Sequence, residues 1–117
     1  MDRFTNREDS YFHDEGLAAG TAVIKAKGGR VHAFYASNRN AAARYLILFN
    51  AASGSADADI VGAFLIPPGD GIMLGDIHLG PQGKPFATGI AFGISTVSTT
   101  YDGSATSTEH DVFVRYI

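Results

Sequence analysis

Phe86-Ala87-Thr88-Gly89-Ile90-Ala91-Phe92-Gly93-Ile94-Ser95 separates into two faces when read with a period of two. One carries Phe86, Thr88, Ile90, Phe92 and Ile94; the other carries Ala87, Gly89, Ala91, Gly93 and Ser95. Successive side chains of a strand point to opposite sides, so this stretch predicts a β-strand with one bulky face and one nearly bare face. Glycine inside a strand costs entropy and leaves nothing to pack, so Gly89 and Gly93 imply that another backbone comes close. A second sheet, an N-terminal arm or a neighbouring subunit would each supply one.

The same two-residue rhythm recurs on both sides of this stretch. Residues 21–27 alternate, Gly28-Gly29 follows, and Val31-His32-Ala33-Phe34-Tyr35 resumes the pattern, which predicts a hairpin closed by a primed turn. Ser37-Asn38-Arg39-Asn40 has the composition of a turn. Ala43-Arg44-Tyr45-Leu46-Ile47-Leu48-Phe49-Asn50 is apolar on both faces through its middle, as a central strand covered on both sides should be. Ile60–Ile66 reads as a strand halted by Pro67-Pro68-Gly69-Asp70-Gly71, because proline cannot donate to a ladder. Ile72–Leu79 and His110–Ile117 read as further strands, and the polar stretch Thr96–Glu109 as a long loop, with room for a short edge strand near Val97.

Residues 1–19 are polar, acidic and aperiodic, yet they carry Phe4, Tyr11, Phe12 and Leu17. A purely solvated tail has little use for such side chains, so the expectation is an arm that docks, either on its own sheet or on a neighbour. The division expected is therefore an arm over 1–19 and a single domain over 20–117. The fold class is all-β: one antiparallel β-sandwich of seven or eight strands, jelly-roll or immunoglobulin-like, with an extended N-terminal arm.

Composition limits function more than it defines it. The chain has 117 residues, 45% of them hydrophobic and 18% charged, which is enough for one proper core. It has no cysteine, so neither disulfides nor thiolate metal sites contribute. The net charge of −3 sits in the first fifteen residues, where Asp2, Glu8, Asp9, Asp14 and Glu15 outweigh Arg3 and Arg7. The remainder is neutral, which argues against a surface that neutralises nucleic-acid phosphates. No apolar run reaches the roughly 18–20 residues of a membrane span. Met1-Asp2-Arg3-Phe4 is not followed by an apolar leader, so synthesis in a cytoplasm without a signal peptide is expected.

No catalytic constellation emerges, and no enzymatic activity, cofactor or metal is expected. His13, His32, His78 and His110 lack short ligand spacing. Asp57, Asp59, Asp70 and Asp76 could offer oxygens to calcium, but they lack the glycine and distal glutamate of a calcium loop, and turn-forming aspartate is the plainer role. There is no Gly-x-Ser-x-Gly elbow, and Gly83-Lys84 is followed by Pro85 where a phosphate-binding helix would begin. Tyr11, Tyr35, Tyr45, Tyr101 and Tyr116 are available to stack on sugar rings, which keeps a carbohydrate-binding module as the alternative; core or edge packing is their ordinary use.

Three stretches carry a resemblance: Tyr45-Leu46-Ile47-Leu48-Phe49-Asn50-Ala51, Phe64-Leu65-Ile66-Pro67-Pro68-Gly69, and Pro85 through Ser95. With the Ser/Thr-rich loop and the terminal Val112-Phe113-Val114-Arg115-Tyr116, residues 20–117 resemble small β-sandwich virion proteins of tailed bacteriophages, those that decorate or cement capsids or sit in head and tail. The resemblance implies a structural subunit of the virion, made in the bacterial host cytoplasm, that binds the major capsid protein or other virion subunits. It implies a homo-oligomer, with a trimer favoured. Phe4, Tyr11, Phe12 and Leu17 are then the candidate partner-binding residues, and no nucleic acid or membrane is involved.

Overall fold

The computed structural model describes residues 10–15, 21–53, 57–100 and 110–117. Within them lie nine strands: β1 (Ser10–Glu15), β2 (Thr21–Lys25), β3 (Gly29–Asn38), β4 (Arg44–Asn50), β5 (Ile60–Ile66), β6 (Asp70–Leu74), β7 (Lys84–Phe86), β8 (Ile90–Ser95) and β9 (Asp111–Tyr116). A 3-10 turn at Asp57–Asp59 precedes β5, and a single helical turn, α1 (Asp76–Leu79), separates β6 from β7. Two antiparallel sheets form. The first has the order β1-β9-β3-β6, with β7 also on β3, and the second has the order β2-β8-β4-β5. The fold is an all-β sandwich.

The core lies between the sheets. Val31, Phe34 and Ala36 of β3 and Val112 and Val114 of β9 meet Leu46 and Leu48 of β4 and Ile90, Phe92 and Ile94 of β8. The bulky face expected for the Phe86–Ser95 stretch is there: Phe86, Ile90, Phe92 and Ile94 are buried, while Thr88 is exposed. Of the bare face, Gly89, Ala91, Gly93 and Ser95 are buried and Ala87 is exposed. A Cβ on Gly89 would fall 2.5 Å from the Ala51 carbonyl oxygen and 2.8 Å from the Ala52 Cα, so the backbone that comes close there belongs to the chain itself, just after β4.

That stretch is nevertheless two strands. Phe86 ends β7 in the first sheet, and Ile90 begins β8 in the second. Ala87-Thr88-Gly89 crosses between them, held by the Asn50 side chain, whose Oδ1 accepts from the Thr88 N–H at 2.8 Å and the Gly89 N–H at 3.3 Å. The sequence keeps its alternation of larger and smaller residues through the crossing, so the break leaves no mark in the pattern.

The expected hairpin at Gly28-Gly29 is absent for a related reason. β2 pairs with β8 and β3 pairs with β9, β6 and β7, so the two glycines carry the chain from one sheet to the other. Their lack of a side chain serves close approach: a Cβ would lie 2.8 Å from the Ala87 oxygen at Gly28 and 2.5 Å from the Ile117 oxygen at Gly29. Positive φ among the described glycines belongs instead to Gly69, Gly80 and Gly83.

Ile72–Leu79, expected as one strand, leaves the ladder after Leu74. Gly75 opens α1, its carbonyl accepting from Leu79 N–H at 2.9 Å, and the chain rejoins the same edge of β3 as β7. β6 and β7 are thus one interrupted edge strand, which accounts for nine strands where seven or eight were expected. The arm expected over 1–19 is, in its described part, strand β1, paired from Ser10↔Tyr116 to Glu15↔Asp111 on the outer edge of β9.

One buried polar side chain ties the sheets together. Asn38, at the end of β3, is fully buried. Its Nδ2 donates to the Ala42 carbonyl at 2.9 Å and the Ile66 carbonyl at 3.2 Å, and its Oδ1 accepts from Asn40 N–H at 2.9 Å. Removing the amide takes the donor from the buried Ile66 carbonyl, so Asn38→Leu should cost about 2 kcal/mol. Gly89→Val should cost about 2 kcal/mol or more through overpacking against the Ala51–Ala52 backbone. Denaturant unfolding of the two variants measures both; wild-type midpoints would show that the contacts are not needed.

Candidate interaction surface

The two outer faces of the sandwich differ. Behind the second sheet, Ile47, Phe49 and Ala91 form a smaller cluster and are fully buried, with Tyr45 and Ile60 packed beside them. The first sheet keeps large apolar groups in the open.

Strand pairing builds that open face. On β1, β9 and β3 the residues that alternate with the core side chains are His13, Phe113 and Tyr35, and the registers place them directly opposite one another: His13↔Phe113, Phe113↔Tyr35, then Tyr35↔Met73 on β6. A row of four side chains therefore runs across the whole sheet. Directly opposed residues on one face stand about 4.5–5.5 Å apart at Cβ, close enough for their side chains to touch. Tyr11 and Arg115 form the neighbouring row, continued by Ala33. The Phe113 ring lies 5.4 Å from the His13 ring and 6.0 Å from the Tyr11 ring, centroid to centroid, so three aromatic rings form one cluster. The Tyr35 ring lies over Gly71, where a Cβ would fall 2.7 Å from its hydroxyl; glycine makes the room it occupies. Tyr11 and Met73 are each 62% exposed and Phe113 44%. Isolated apolar residues at a surface need no explanation; a contiguous stripe of them makes this face the candidate for contact.

The face ends at a groove. β5 is the last strand of the second sheet and β6 borders the first, and between them lies a depression of about 410 Å³ lined by Phe64, Leu65, Ile72, Met73, Leu74 and His78. The His78 imidazole stands edge-on to Phe64 at 6.1 Å, and its Nδ1 accepts from Gly75 N–H at 3.4 Å, which orients the first turn of α1. Beside it Ile77 projects from α1 with 96% of its surface exposed. Asp70 begins β6 and Asp76 begins α1.

The residues singled out from the sequence fall in different places. Tyr11 stands on the open face. Phe12, its neighbour, points inward and meets Phe92 at 5.7 Å, so it belongs to the core margin. Phe4, Leu17 and Tyr101 lie outside the described residues. Tyr35 is in the exposed row, while Tyr45 and Tyr116 pack against the two apolar clusters. The four histidines are dispersed: His13 on the open face, His32 within β3, His78 on α1, and His110 buried with Nδ1 3.0 Å from the Ser37 carbonyl oxygen. Among the described residues no group of three His, Asp or Glu side chains is placed to hold a metal ion. No helix among them is long and apolar enough to cross a membrane.

Phe113, Met73 and Ile77 were not foreseen. The signal for Phe113 is legible in Asp111-Val112-Phe113-Val114-Arg115, where a phenyl ring occupies the face of the two charged residues.

No protein-family model matches the chain, and no curated protein or solved structure shows significant similarity to it.

Tyr11 and Phe12, adjacent on β1, should respond oppositely to truncation. Tyr11→Ala should change stability by less than about 0.5 kcal/mol, as ordinary surface substitutions do. Phe12→Ala should cost about 3 kcal/mol through the lost Phe92 contact and the cavity left. Equilibrium unfolding of both variants reads the difference, and equal losses would mean that Tyr11 is part of the core.

Proposed function

We propose that this chain is a non-enzymatic structural subunit of a tailed-phage virion, a decoration or cement protein that binds the shell and stabilises it. The carrying observation is the open row His13–Phe113–Tyr35–Met73 on a rigid two-sheet body. A flat apolar face four strands wide suits contact with another protein surface, whereas small-molecule sites are concave, with a few convergent polar groups.

The strand order supports the same reading. With β6 and β7 counted as one interrupted strand, the two sheets run 1-8-3-6 and 2-7-4-5 in chain order. We read this as a jelly roll, two Greek keys closed into facing sheets, an architecture used by viral capsid and lectin domains. Its partners would be the major capsid protein or other virion subunits, including further copies of itself. Copies on a symmetric shell add avidity, so a modest contact per subunit suffices.

The exposed rings of Tyr11, Tyr35 and Phe113 support a second reading, a carbohydrate-binding module for host-surface recognition, because sugar rings stack on such faces. Saturable signals on a glycan array, abolished by Tyr35→Ala, would establish it.

Mass spectrometry of purified particles tests the first reading. The chain should be present in many copies per particle, and particles assembled without it should release their genome at a lower temperature. Particles that lack the chain in a host that produces it would overturn the proposal.

A further inference from the structure

We propose that Asp70-Gly71 is a site of spontaneous modification, where the aspartate isomerises to isoaspartate through a cyclic imide and loosens β6 from β3. The inference rests on the start of β6 and is independent of the virion reading.

Imide formation needs the nitrogen of the following residue close to the aspartate carboxyl, unhindered and outside the ladder. The Gly71 N–H donates to the Asp70 Oδ1 at 2.8 Å, so its nitrogen is held beside the carboxyl group it must attack. Glycine has no Cβ to hinder the approach, and Asp70 is exposed. Strand geometry keeps this amide out of the sheet. Ser37 stands opposite Gly71, but its carbonyl oxygen is turned toward β9, where His110 Nδ1 lies 3.0 Å from it. Hydrogen-bonded and non-hydrogen-bonded pairs alternate along an antiparallel ladder, so Ser37↔Gly71 is a non-hydrogen-bonded pair and the Gly71 N–H points away from β3. Among the described residues β6 pairs with no other strand, which leaves that N–H on the open edge.

Packing keeps glycine at this position. A Cβ on residue 71 would fall 2.7 Å from the Tyr35 hydroxyl and 3.1 Å from the Ala36 carbonyl oxygen. The close approach of Tyr35 and β3 therefore retains the residue that makes Asp70 reactive.

The reaction needs no reagent beyond water. The Gly71 nitrogen bonds the Asp70 Cγ, its proton passes to Oδ1, and the Cγ–Oδ1 bond breaks. With one solvent proton, that oxygen leaves as water. Water then adds to either imide carbonyl: at Cγ it restores aspartate, and at the main-chain carbonyl carbon it leaves isoaspartate, with the chain running through Cβ and Cγ. The backbone gains one atom between Asp70 and Gly71, so Asn38↔Asp70 and Ala36↔Ile72 cannot both keep their spacing. Register decides which face each side chain takes, so the change works against burial of Ile72 and Leu74.

Incubating the full chain, folded in buffer and unfolded in urea, tests the site. A protease that cuts before aspartate but not before isoaspartate reads position 70 by mass spectrometry, and isoaspartyl methyltransferase labelling confirms the product. Asp102-Gly103, the other Asp-Gly pair in the sequence, shows in the unfolded chain that the chemistry is running. Isoaspartate at position 70 should accumulate in the folded chain at least as fast as in the unfolded one. Asp70→Glu should yield none there, since its larger imide ring closes far more slowly. Pulse proteolysis across a urea series should find the modified molecules unfolding at a lower midpoint than unmodified ones in the same sample. A folded chain in which position 70 stays aspartate, or isomerises more slowly than when unfolded, overturns the site. Equal midpoints overturn the loosening of β6. If Asp70→Glu does not fold, the wild-type comparison decides alone.

Discussion

Phe92 joins the two sheets. It projects from β8, and its ring meets Phe34 of β3 at 5.3 Å and Phe12 of β1 at 5.7 Å, both edge to face. Such pairs contribute about 0.5–1.5 kcal/mol each beyond the area they bury. They also fix how the second sheet sits on the first, since each ring edge must meet a ring face. With Phe92 turned inward, β8 must turn Ala91, Gly93 and Ser95 outward, and those residues are buried as well. β8 and its neighbour β4 are thus covered on both sides, and the second sheet has no outer surface at its centre to offer.

Alternation made the strand interiors legible. Leu46, Ile47, Leu48 and Phe49 are all fully buried, two toward each cluster, as their continuous apolar run implies. Ile60–Ile66 ends where Pro67 stands, and β9 occupies the expected C-terminal stretch. What alternation cannot show is which sheet a strand joins. Gly28-Gly29 and Ala87-Thr88-Gly89 both cross from sheet to sheet, yet one read as a hairpin turn and the other as mid-strand. Gly28-Gly29 was judged by local backbone needs, whereas Gly28 makes room for the distant Ala87 carbonyl; the close backbone expected at Gly89 is that of Ala51, but alternation gave no sign that the strand breaks there. The helical turn after Gly75 was masked in the same way, because Ile77 and Leu79 continue a strand-like rhythm that α1 uses differently: Leu79 is buried and Ile77 exposed.

The candidate surface was only half legible. Tyr11 stood out as an aromatic in a polar segment, and Phe12 beside it drew the same inference although the two residues point to opposite sides of β1. A period of two distinguishes them only once a strand is assigned, and the aperiodic residues around them hid that strand. The row itself depends on registers between β1, β9, β3 and β6, segments from both ends of the chain. No local pattern encodes that His13, Phe113, Tyr35 and Met73 stand abreast. The pairing decides it, and the pairing follows from the core those same strands share.

An open apolar face on a body with balanced charge carries an association risk, because little repulsion keeps copies apart. The sandwich limits the form that association can take. Unpaired strand edges invite open-ended ladder growth, and chains resist this with short or interrupted edges and proline. On the first sheet the edge beside β3 is broken into β6, five residues, and β7, three residues, with α1 between them. On the second, Pro67 and Pro68 stop the ladder beyond β5. Backbone-to-backbone growth along this side is therefore curtailed on the first sheet. The side chains Leu65, Met73 and Ile77 remain exposed there. An edge that is interrupted while it presents projecting apolar groups favours finite, side-chain-mediated contacts over open-ended strand addition.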